Sequence, residues 1–461
     1  AVLGYIIVLR YFPKTIKILM GVAVAGVAVI SLLYVFRETG FVQKIPAVNR
    51  TISTSFTSIK NSARWIAWEV AVTSWKERPV FGWGPNNFFY AFNKHYQSRS
   101  LEHGYGETWF DNAHNIIMNT LAVQGAVGLA SYLFIFFAAI ITLILARRKK
   151  ILDPHIAVVG ISFLVAHFTQ NVTVFENLTS YLYFMFWLAM VGSLSAKKED
   201  TIGAGSKNNG KNIKIYPNKV VGSGTVVTTG LVMLLLIFIF EIQPARANMK
   251  TLDALKYLSY QPAVGLDIMK LALAFNSPHI DDIRSDLTRT VSSILSSGDN
   301  KLGKEKSMEM LNIALEAMRA NVLLHPYDIR NYLTLSQLSQ AGYSLTNDTR
   351  YIGEYGNYLE TALKYSPKRQ QIIYNLANFY LQIGKTDEAT SSIEQTIKDD
   401  PKISEGYWRL AYIYRLVGKI DKAIEALQLA EKNGVVFTEQ ERGVIAQILA
   451  PEPAKTPAKK K

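Results

Sequence analysis

The sequence has no cysteine among its 461 residues. This absence excludes disulfides, thiolate metal sites and cysteine nucleophiles, and it leaves the redox compartment undecided. Acidic residues are also fewer than basic ones, with 36 Asp and Glu against 50 Lys and Arg, so the formal net charge is +14. The N terminus lacks the layout of a signal peptide, because Ala1 lies inside an apolar run. We therefore expect the polypeptide to be truncated at this end.

Apolar residues make up 49% of the chain and are concentrated in blocks, which is typical of a membrane protein with a soluble appendage. A bilayer-spanning helix needs about 20 apolar residues. The predicted spans are 18–36, 116–146, 156–175, 181–195 and 220–240, with 1–9 as the tail of another. The fold class is therefore predicted to be all-α, with a polytopic transmembrane helix bundle.

Three basic stretches, at 10–17, 147–150 and 197–219, alternate with connections that are poor in lysine and arginine. The positive-inside rule places the basic stretches in the cytoplasm. Residues 37–115 then form a large outer loop, and everything after residue 240 also lies outside. Because many of the basic residues explain orientation, the positive charge does not indicate nucleic-acid binding. The Gly, Lys and Asn-rich 197–219 is expected to be a flexible cytoplasmic loop, and 451–461 a disordered tail.

The part from 241 to 450 is predicted to be a helical repeat domain. Residues 368–401 and 402–435 align at an offset of 34, with Ala377 on Ala411 and Gly384 on Gly418. This period and pattern resemble tetratricopeptide (TPR) repeats, which stack into an α-solenoid. Degenerate upstream units are expected to complete the solenoid. Such an array binds a protein partner in its groove, or it serves as a spacer or dimerisation arm.

In the outer loop, tryptophans 65, 68 and 75 recur at helical spacing, which predicts a helix at the membrane surface with its indoles among the lipid headgroups. Arg64 emerges from this apolar stripe, since Trp68, Ala71 and Trp75 lie within about 40° of it at about 100° per residue. An arginine in this position either snorkels or meets an anion. Downstream, Gly82 and Gly84 allow a tight turn that presents Trp83 and the aromatics after it.

The polar cluster DNAHN precedes the long apolar run from Ile116. Asp111 or Asn112 is expected to cap a helix that begins near His114. Gly125 is then rotated about 20° from His114 and Gly128 about 40° to the other side. Small residues on a membrane helix let a neighbouring helix pack closely. We therefore expect both glycines to pack helices beneath a histidine that either accepts a proton as a base or is satisfied by headgroups and water.

The spacing His114-Asn115, nine residues, Gly125, two residues, Gly128, together with Arg64 and RPVFGWGPNNF, resembles the O-antigen ligase and polymerase superfamily. The resemblance covers roughly residues 18–195. Family members are metal-independent membrane glycosyltransferases without cofactors, and they act on the outer face of the bacterial cytoplasmic membrane. The resemblance implies that 1–196 is a ligase-like domain, with His114 and Arg64 catalytic. It further implies that Arg64, Trp83 and Asn115 contact the substrate.

The implied donor is a glycan on undecaprenyl diphosphate, and the acceptor is a lipid core, a polysaccharide or a protein. The resemblance implies that Arg64 engages the diphosphate and that His114 activates the acceptor. Membrane lipids and a protein held in the TPR groove are the other expected partners, and no nucleic acid is expected. The alternative is a non-catalytic membrane scaffold that anchors the repeats for cell-envelope assembly.

Overall fold

A computed structural model of the chain describes residues 13–37, 39–44, 62–196, 223–297 and 302–450. Within these ranges the regular elements are all helical, which confirms the all-α prediction. The predicted span tail at 1–9, the loop at 197–219 and the tail at 451–461 lie outside the described residues.

The chain divides into two compact parts. The first consists of residues 1–95 and 103–213, and the second of residues 96–102 and 214–461. The helices of the first part are α1 (Pro13–Val35), α2 (Ala63–Glu77), α3 (Phe88–Lys94), α4 (Ile116–Arg148), α5 (Pro154–Thr173) and α6 (Leu178–Ala196). A four-residue helical turn, Gly40–Gln43, lies between α1 and α2.

Three described helices are long and apolar enough to cross a membrane: Ile116–Arg148, Pro154–Thr173 and Gly224–Tyr260. Met20–Val35 and Leu178–Ser193 are shorter apolar helices. Helices α4, α5 and α6 share one core, which includes Phe136, Leu143, Leu164, Phe184 and Val191. The predicted apolar blocks therefore fold as helices, and three of them pack on one another.

Helix α2 buries a face of small and aliphatic residues. The N-cap Ser62 accepts a hydrogen bond from the Trp65 N–H, and this starts the helix. The buried residues are Ala63, Ile66, Ala67, Val70, Ala71 and Ser74. The three indoles are half-buried and donate hydrogen bonds within the protein, as Trp68 does to the Ala113 carbonyl at 2.9 Å, and their place among lipid headgroups stays a prediction.

The turn 79–84 is built into an interruption of helix α4. Gly125 has φ 67° and ψ −166°, so the helical hydrogen bonds stop around it and leave donors and acceptors free on both sides. Backbone groups of the turn take their place. The four bonds are Ala126 N–H to Pro79 O (2.8 Å), Val127 N–H to Val80 O (3.2 Å), Trp83 N–H to Ala122 O (3.0 Å) and Gly84 N–H to Val123 O (2.7 Å).

Two glycines permit this close backbone approach. A Cβ at Gly125 would lie 2.3 Å from the Val80 carbonyl oxygen, and one at Gly82 would lie 2.5 Å from the Val123 carbonyl carbon. Both residues also have φ near 67°, in the left-handed region that other residues enter at a cost. The two glycines therefore lock the turn onto helix α4.

This arrangement corrects the expected role of Gly125, whereas the helix-packing role of Gly128 stays a prediction. Gly125 packs against the backbone of a turn instead of a neighbouring helix, and a Cβ at Gly128 would meet the Gln124 side chain of its own helix. The two glycines do not lie beneath His114 on one helix face, because Gly125 interrupts the helix and His114 precedes it.

The second part contains α7 (Ser223–Ile237), which continues through the π-helical turn Phe238–Ile242 into α8 (Gln243–Tyr260). The helix thus passes through the predicted domain boundary at residue 240 without ending. The remaining helices are α9 (Pro262–Leu273), α10 (Ile280–Ser296), α11 (Gly303–Leu324), α12 (Ile329–Thr346), α13 (Thr349–Tyr365), α14 (Gln370–Gln382), α15 (Thr386–Asp399), α16 (Ser404–Leu416), α17 (Ile420–Lys432) and α18 (Glu439–Leu449).

Helices α14 and α15, and likewise α16 and α17, form antiparallel hairpins at the predicted 34-residue period. Gly384 and Gly418 make the two turns with φ near 75°. The aligned small residues Ala389 and Ala423 are fully buried, as the close approach of two helices requires. One apolar cluster runs through both hairpins and into α18.

Residues 96–102, which we call the strap, pack on these repeats although they belong to the 37–115 loop in sequence. The buried Tyr96 ring lies 4.3 Å from the Arg369 guanidinium carbon, and its hydroxyl donates to Gln370 Oε1 at 3.1 Å. The Gln370 amide in turn donates to the Ser98 carbonyl at 2.8 Å. Leu101 joins the apolar cluster of the repeats.

The strap spans the junctions of two successive repeats. Ser98 donates to the Lys368 carbonyl at 3.4 Å, and Glu102 pairs with Lys402 at 3.7 Å. Lys368 and Lys402 occupy the same position of their repeats, since they are one 34-residue period apart. Arg369 is fully buried beneath this contact and donates to Ser366 Oγ at 3.2 Å.

Replacing Gly125 with Ala should destabilise the protein by about 2–6 kcal/mol, because left-handed strain and overpacking each cost about 1–3 kcal/mol. Thermal unfolding in detergent measures this as a lowered midpoint. The matched control is Gly192→Ala in α6, where a Cβ would meet nothing within 4 Å. Equal midpoints for the two variants would show that the turn does not depend on Gly125.

Candidate functional site

His114 lies just before helix α4 and not within it. The helix begins at Ile116 with Asn115 as N-cap, whose Oδ1 accepts hydrogen bonds from the N–H groups of Ile117 (3.0 Å) and Met118 (3.2 Å). The prediction that Asp111 or Asn112 caps this helix is therefore wrong. Asn112 instead accepts a hydrogen bond from the His114 N–H at 2.8 Å.

The position before the N-cap gives His114 an unusual backbone. Its φ is 50°, in the left-handed region that non-glycine residues rarely adopt. The imidazole stands between two phenylalanine rings in edge contacts, with centroid distances of 5.7 Å to Phe110 and 5.2 Å to Phe175. The side chain is thus half-buried and held on two sides by apolar rings.

Arg64 lies in the first turn of helix α2 and is exposed. Its Nη1 donates a hydrogen bond to the Thr173 carbonyl at 3.2 Å, at the end of helix α5. Helix α2 also reaches the residue before His114, since the Trp68 indole donates to the Ala113 carbonyl. Helix α2 therefore supports both predicted catalytic residues.

The two residues converge on the turn between α5 and α6. Thr173 accepts from Arg64, and Phe175, two residues later, lies against His114. The charges also interact: burial lowers the pKa of His114 below 6.5, the positive charge of Arg64 lowers it further, and Asp111 and Glu107 oppose this. The structure thus brings together Arg64 and a histidine whose lowered pKa favours the neutral imidazole.

This arrangement suits proton transfer next to an anion. A neutral imidazole accepts a proton from a hydroxyl, and a guanidinium binds phosphate oxygens through several N–H donors. Arg64 is exposed, so its guanidinium is accessible to an anion. Arg64 can therefore hold an anionic leaving group while His114 acts as a base on an acceptor hydroxyl.

Trp83 and Asn115 have structural contacts in this fold. The Arg78 guanidinium carbon lies 4.2 Å from the centroid of the Trp83 ring and Lys94 Nζ 5.3 Å, and the indole donates to the Ser74 carbonyl. Asn115 is buried and uses its Oδ1 as the helix cap. Their predicted substrate contacts stay predictions.

The aromatics after Trp83 differ from the prediction. Phe88 and Phe92 are fully buried, so the turn does not present them to the surroundings. The aromatic side chain that the turn exposes is Phe81, which precedes Trp83.

Sequence reasoning missed three residues near the turn between α5 and α6. Phe175 contacts His114, while Glu176 and His167 form a hydrogen-bonded pair at 3.0 Å. The available signal was an ionisable residue inside an apolar helix, since such residues are costly in a membrane and usually have a partner there. His167 in the span 156–175 carried that signal.

Residues 1–133 match the O-antigen ligase family, and residues 356–411 and 404–432 match tetratricopeptide repeat families. A comparison with curated proteins gives no match. Among solved structures, a thermophilic TPR protein of Thermus thermophilus is 20% identical at a TM-score of 0.30, over 43% of this chain and 98% of its own. MamA is 19% identical at a TM-score of 0.28, over 39% of this chain and 89% of its own.

The matches agree with the resemblance seen in the sequence, since the ligase match contains both Arg64 and His114, and the repeat matches cover the two hairpins. The chain therefore carries an O-antigen ligase domain over residues 1–133, followed by C-terminal tetratricopeptide repeats.

Proposed function

We propose that this chain is a membrane glycosyltransferase of the O-antigen ligase type, which transfers a glycan from undecaprenyl diphosphate to an acceptor hydroxyl. The observation that carries the proposal is the convergence of Arg64 and His114 on the turn after α5, within a chain that has an O-antigen ligase domain. Neither residue type alone would indicate this reaction.

In the proposed reaction, the acceptor oxygen forms a bond to the anomeric carbon of the donor sugar, and the bond from that carbon to the diphosphate breaks. The neutral His114 imidazole takes the hydroxyl proton. Arg64 donates hydrogen bonds to the diphosphate, which gains negative charge as it leaves. The lowered pKa of His114 keeps the base unprotonated near neutral pH.

We propose that the site and the repeats both lie on the outer face of the bacterial cytoplasmic membrane. The basic connections at 10–17 and 147–150 support this orientation. The strap supports it independently, because it belongs to the loop that contains His114 and its side chains pack on repeat residues. This packing supports the proposal that the loop and the repeats lie on the same side of the membrane.

The repeats then have a role in acceptor selection. A helical repeat array on the side of the site would recruit or orient a protein or surface-polymer acceptor. Through Tyr96 and Leu101 the array also holds the strap, which is continuous in sequence with the loop that ends at His114.

Replacing His114 with Ala in the full-length protein should lower the rate of glycan transfer by about 10²–10⁴-fold, the usual contribution of a general base. Arg64→Lys should also lower the rate, because lysine lacks the bidentate geometry of the guanidinium. Transfer is measured in membrane vesicles with a lipid-linked donor, with His103→Ala, an exposed loop histidine, as the matched control.

The membrane-scaffold alternative predicts a different pattern. In that case His114→Ala and Arg64→Lys transfer at the rate of the unchanged protein, and only deletion of the repeats removes function. This result would refute the proposed function.

The absence of cysteine allows a direct test of topology, since each introduced thiol reports one position. Ser391→Cys, at an exposed position of α15, should react with a membrane-impermeant maleimide on intact spheroplasts. Ser206→Cys, in the 197–219 connection, should react only after the membrane is permeabilised. Labelling of Ser206→Cys on intact spheroplasts, with Ser391→Cys labelled only after permeabilisation, would contradict the proposed orientation.

A further inference from the structure

An ionisable pair lies beside the turn that joins α5 and α6. The His167 Nε2 lies 3.0 Å from Glu176 Oε1, and the side chains are 6% and 16% exposed. An ionised carboxylate only accepts hydrogen bonds, so the Nε2–H donates to Glu176. The amide nitrogen of the buried Asn171, one helical turn further on, lies 3.0 Å from the same Nε2, and because a protonated Nε2 cannot accept, this is a contact and not a second hydrogen bond.

The histidine is fixed by aromatic rings. Its imidazole stacks on Phe184 of helix α6 at 4.6 Å with an angle of 3° between the planes. Phe136 of α4 and Phe163 of α5 lie about parallel to it at 6.2 Å and 6.0 Å. Rings from all three packed helices therefore hold the donor that Glu176 meets.

A buried ion pair or hydrogen-bonded carboxylate is weak evidence for stability, because apolar residues of similar volume often pack equally well. Ionisable residues within membrane helices are nevertheless associated with function. A functional role for the pair must therefore come from the part of the structure that the pair holds in place.

Glu176 is adjacent to the two contacts that build the candidate site. Phe175 lies against His114, and the Thr173 carbonyl accepts the hydrogen bond from Arg64. After Glu176, the Asn177 Oδ1 accepts from the Ser180 N–H at 2.9 Å and starts helix α6. Between these ends, Val174 is extended and has left the helix. The Glu176 side chain thus fixes the turn to helix α5 through its hydrogen bond with His167.

We infer that His167 and Glu176 are positioning residues, which hold the turn 174–177 so that Phe175 and the Thr173 carbonyl fix His114 and Arg64 for the transfer reaction. This inference rests on the proposed function. Loss of the pair leaves His114 and Arg64 in the chain but removes the restraint on the turn that both contact. Misplacement of a catalytic group by about 1 Å costs as much as about 100-fold in rate.

The test variant is His167→Leu, which places an apolar side chain of similar size among phenylalanines while Glu176 loses its partner. A purely structural pair predicts that this variant unfolds at a lower temperature, because the half-buried Glu176 loses its partner, while the folded protein still transfers glycan at the unchanged rate. The inference predicts a roughly 10–100-fold lower kcat at temperatures at which the variant is still folded. Glu176→Gln keeps an acceptor for the histidine, so its kcat should stay within about 3-fold of that of the unchanged protein. The control is Thr169→Ala, because Thr169 is exposed on α5 and its hydroxyl donates to a carbonyl of its own helix.

A second readout does not depend on activity. Incorporating 4-fluorophenylalanine at position 175 should give one narrow ¹⁹F resonance in the unchanged protein, in Glu176→Gln and in Thr169→Ala. The resonance should broaden or shift in His167→Leu. An unchanged ¹⁹F resonance in His167→Leu would overturn the inference. The transfer rate of His114→Ala tests the proposed function alone. If the protein without substitutions transfers no glycan, the proposed function is refuted, and the ¹⁹F result still decides the inference.

Discussion

The hydrogen bond from Arg64 to the Thr173 carbonyl joins helix α2 to the turn whose Phe175 ring lies against His114. Two residues that are far apart in sequence thereby meet at one turn. The Trp68 indole adds a second link, because it donates to the carbonyl before His114. The proposed chemistry depends on this convergence, since a base without the guanidinium lacks a partner for the leaving diphosphate.

Backbone contacts hold the surroundings of the site. The turn 79–84 replaces interrupted hydrogen bonds of α4 around Gly125, so the helix that begins next to His114 is fixed to the end of helix α2. Further along the same loop, the strap is anchored on the repeats by the Arg369–Tyr96 contact. The loop is thus restrained at several positions by interactions that are local in space and distant in sequence.

Much of this architecture could be predicted from sequence. Apolar run length predicts the membrane-capable helices, and the 34-residue period with Gly384 and Gly418 at matching positions predicts the hairpins. Arg64 and His114 could be selected because of their residue types, their positions beside apolar helices and the family resemblance.

The partners of these residues could not be predicted, because they depend on tertiary contacts. A helical wheel assumes an unbroken helix, so it fails at Gly125, whose backbone leaves the helix to meet Val80. Likewise, nothing local in the sequence indicates that Glu176 reaches back to His167 or that Leu101 joins the core of the repeats.

The central claim is that Arg64 and His114 share one site. The most direct test is to measure the pKa of the His114 imidazole by NMR titration of selectively labelled protein, with and without the Arg64 charge. Burial and then Arg64 hold this pKa below 6.5, so Arg64→Gln should raise it, whereas Lys76→Gln on the exposed side of the same helix should leave it unchanged. A pKa that does not respond to Arg64→Gln would show that the guanidinium and the imidazole do not share one site.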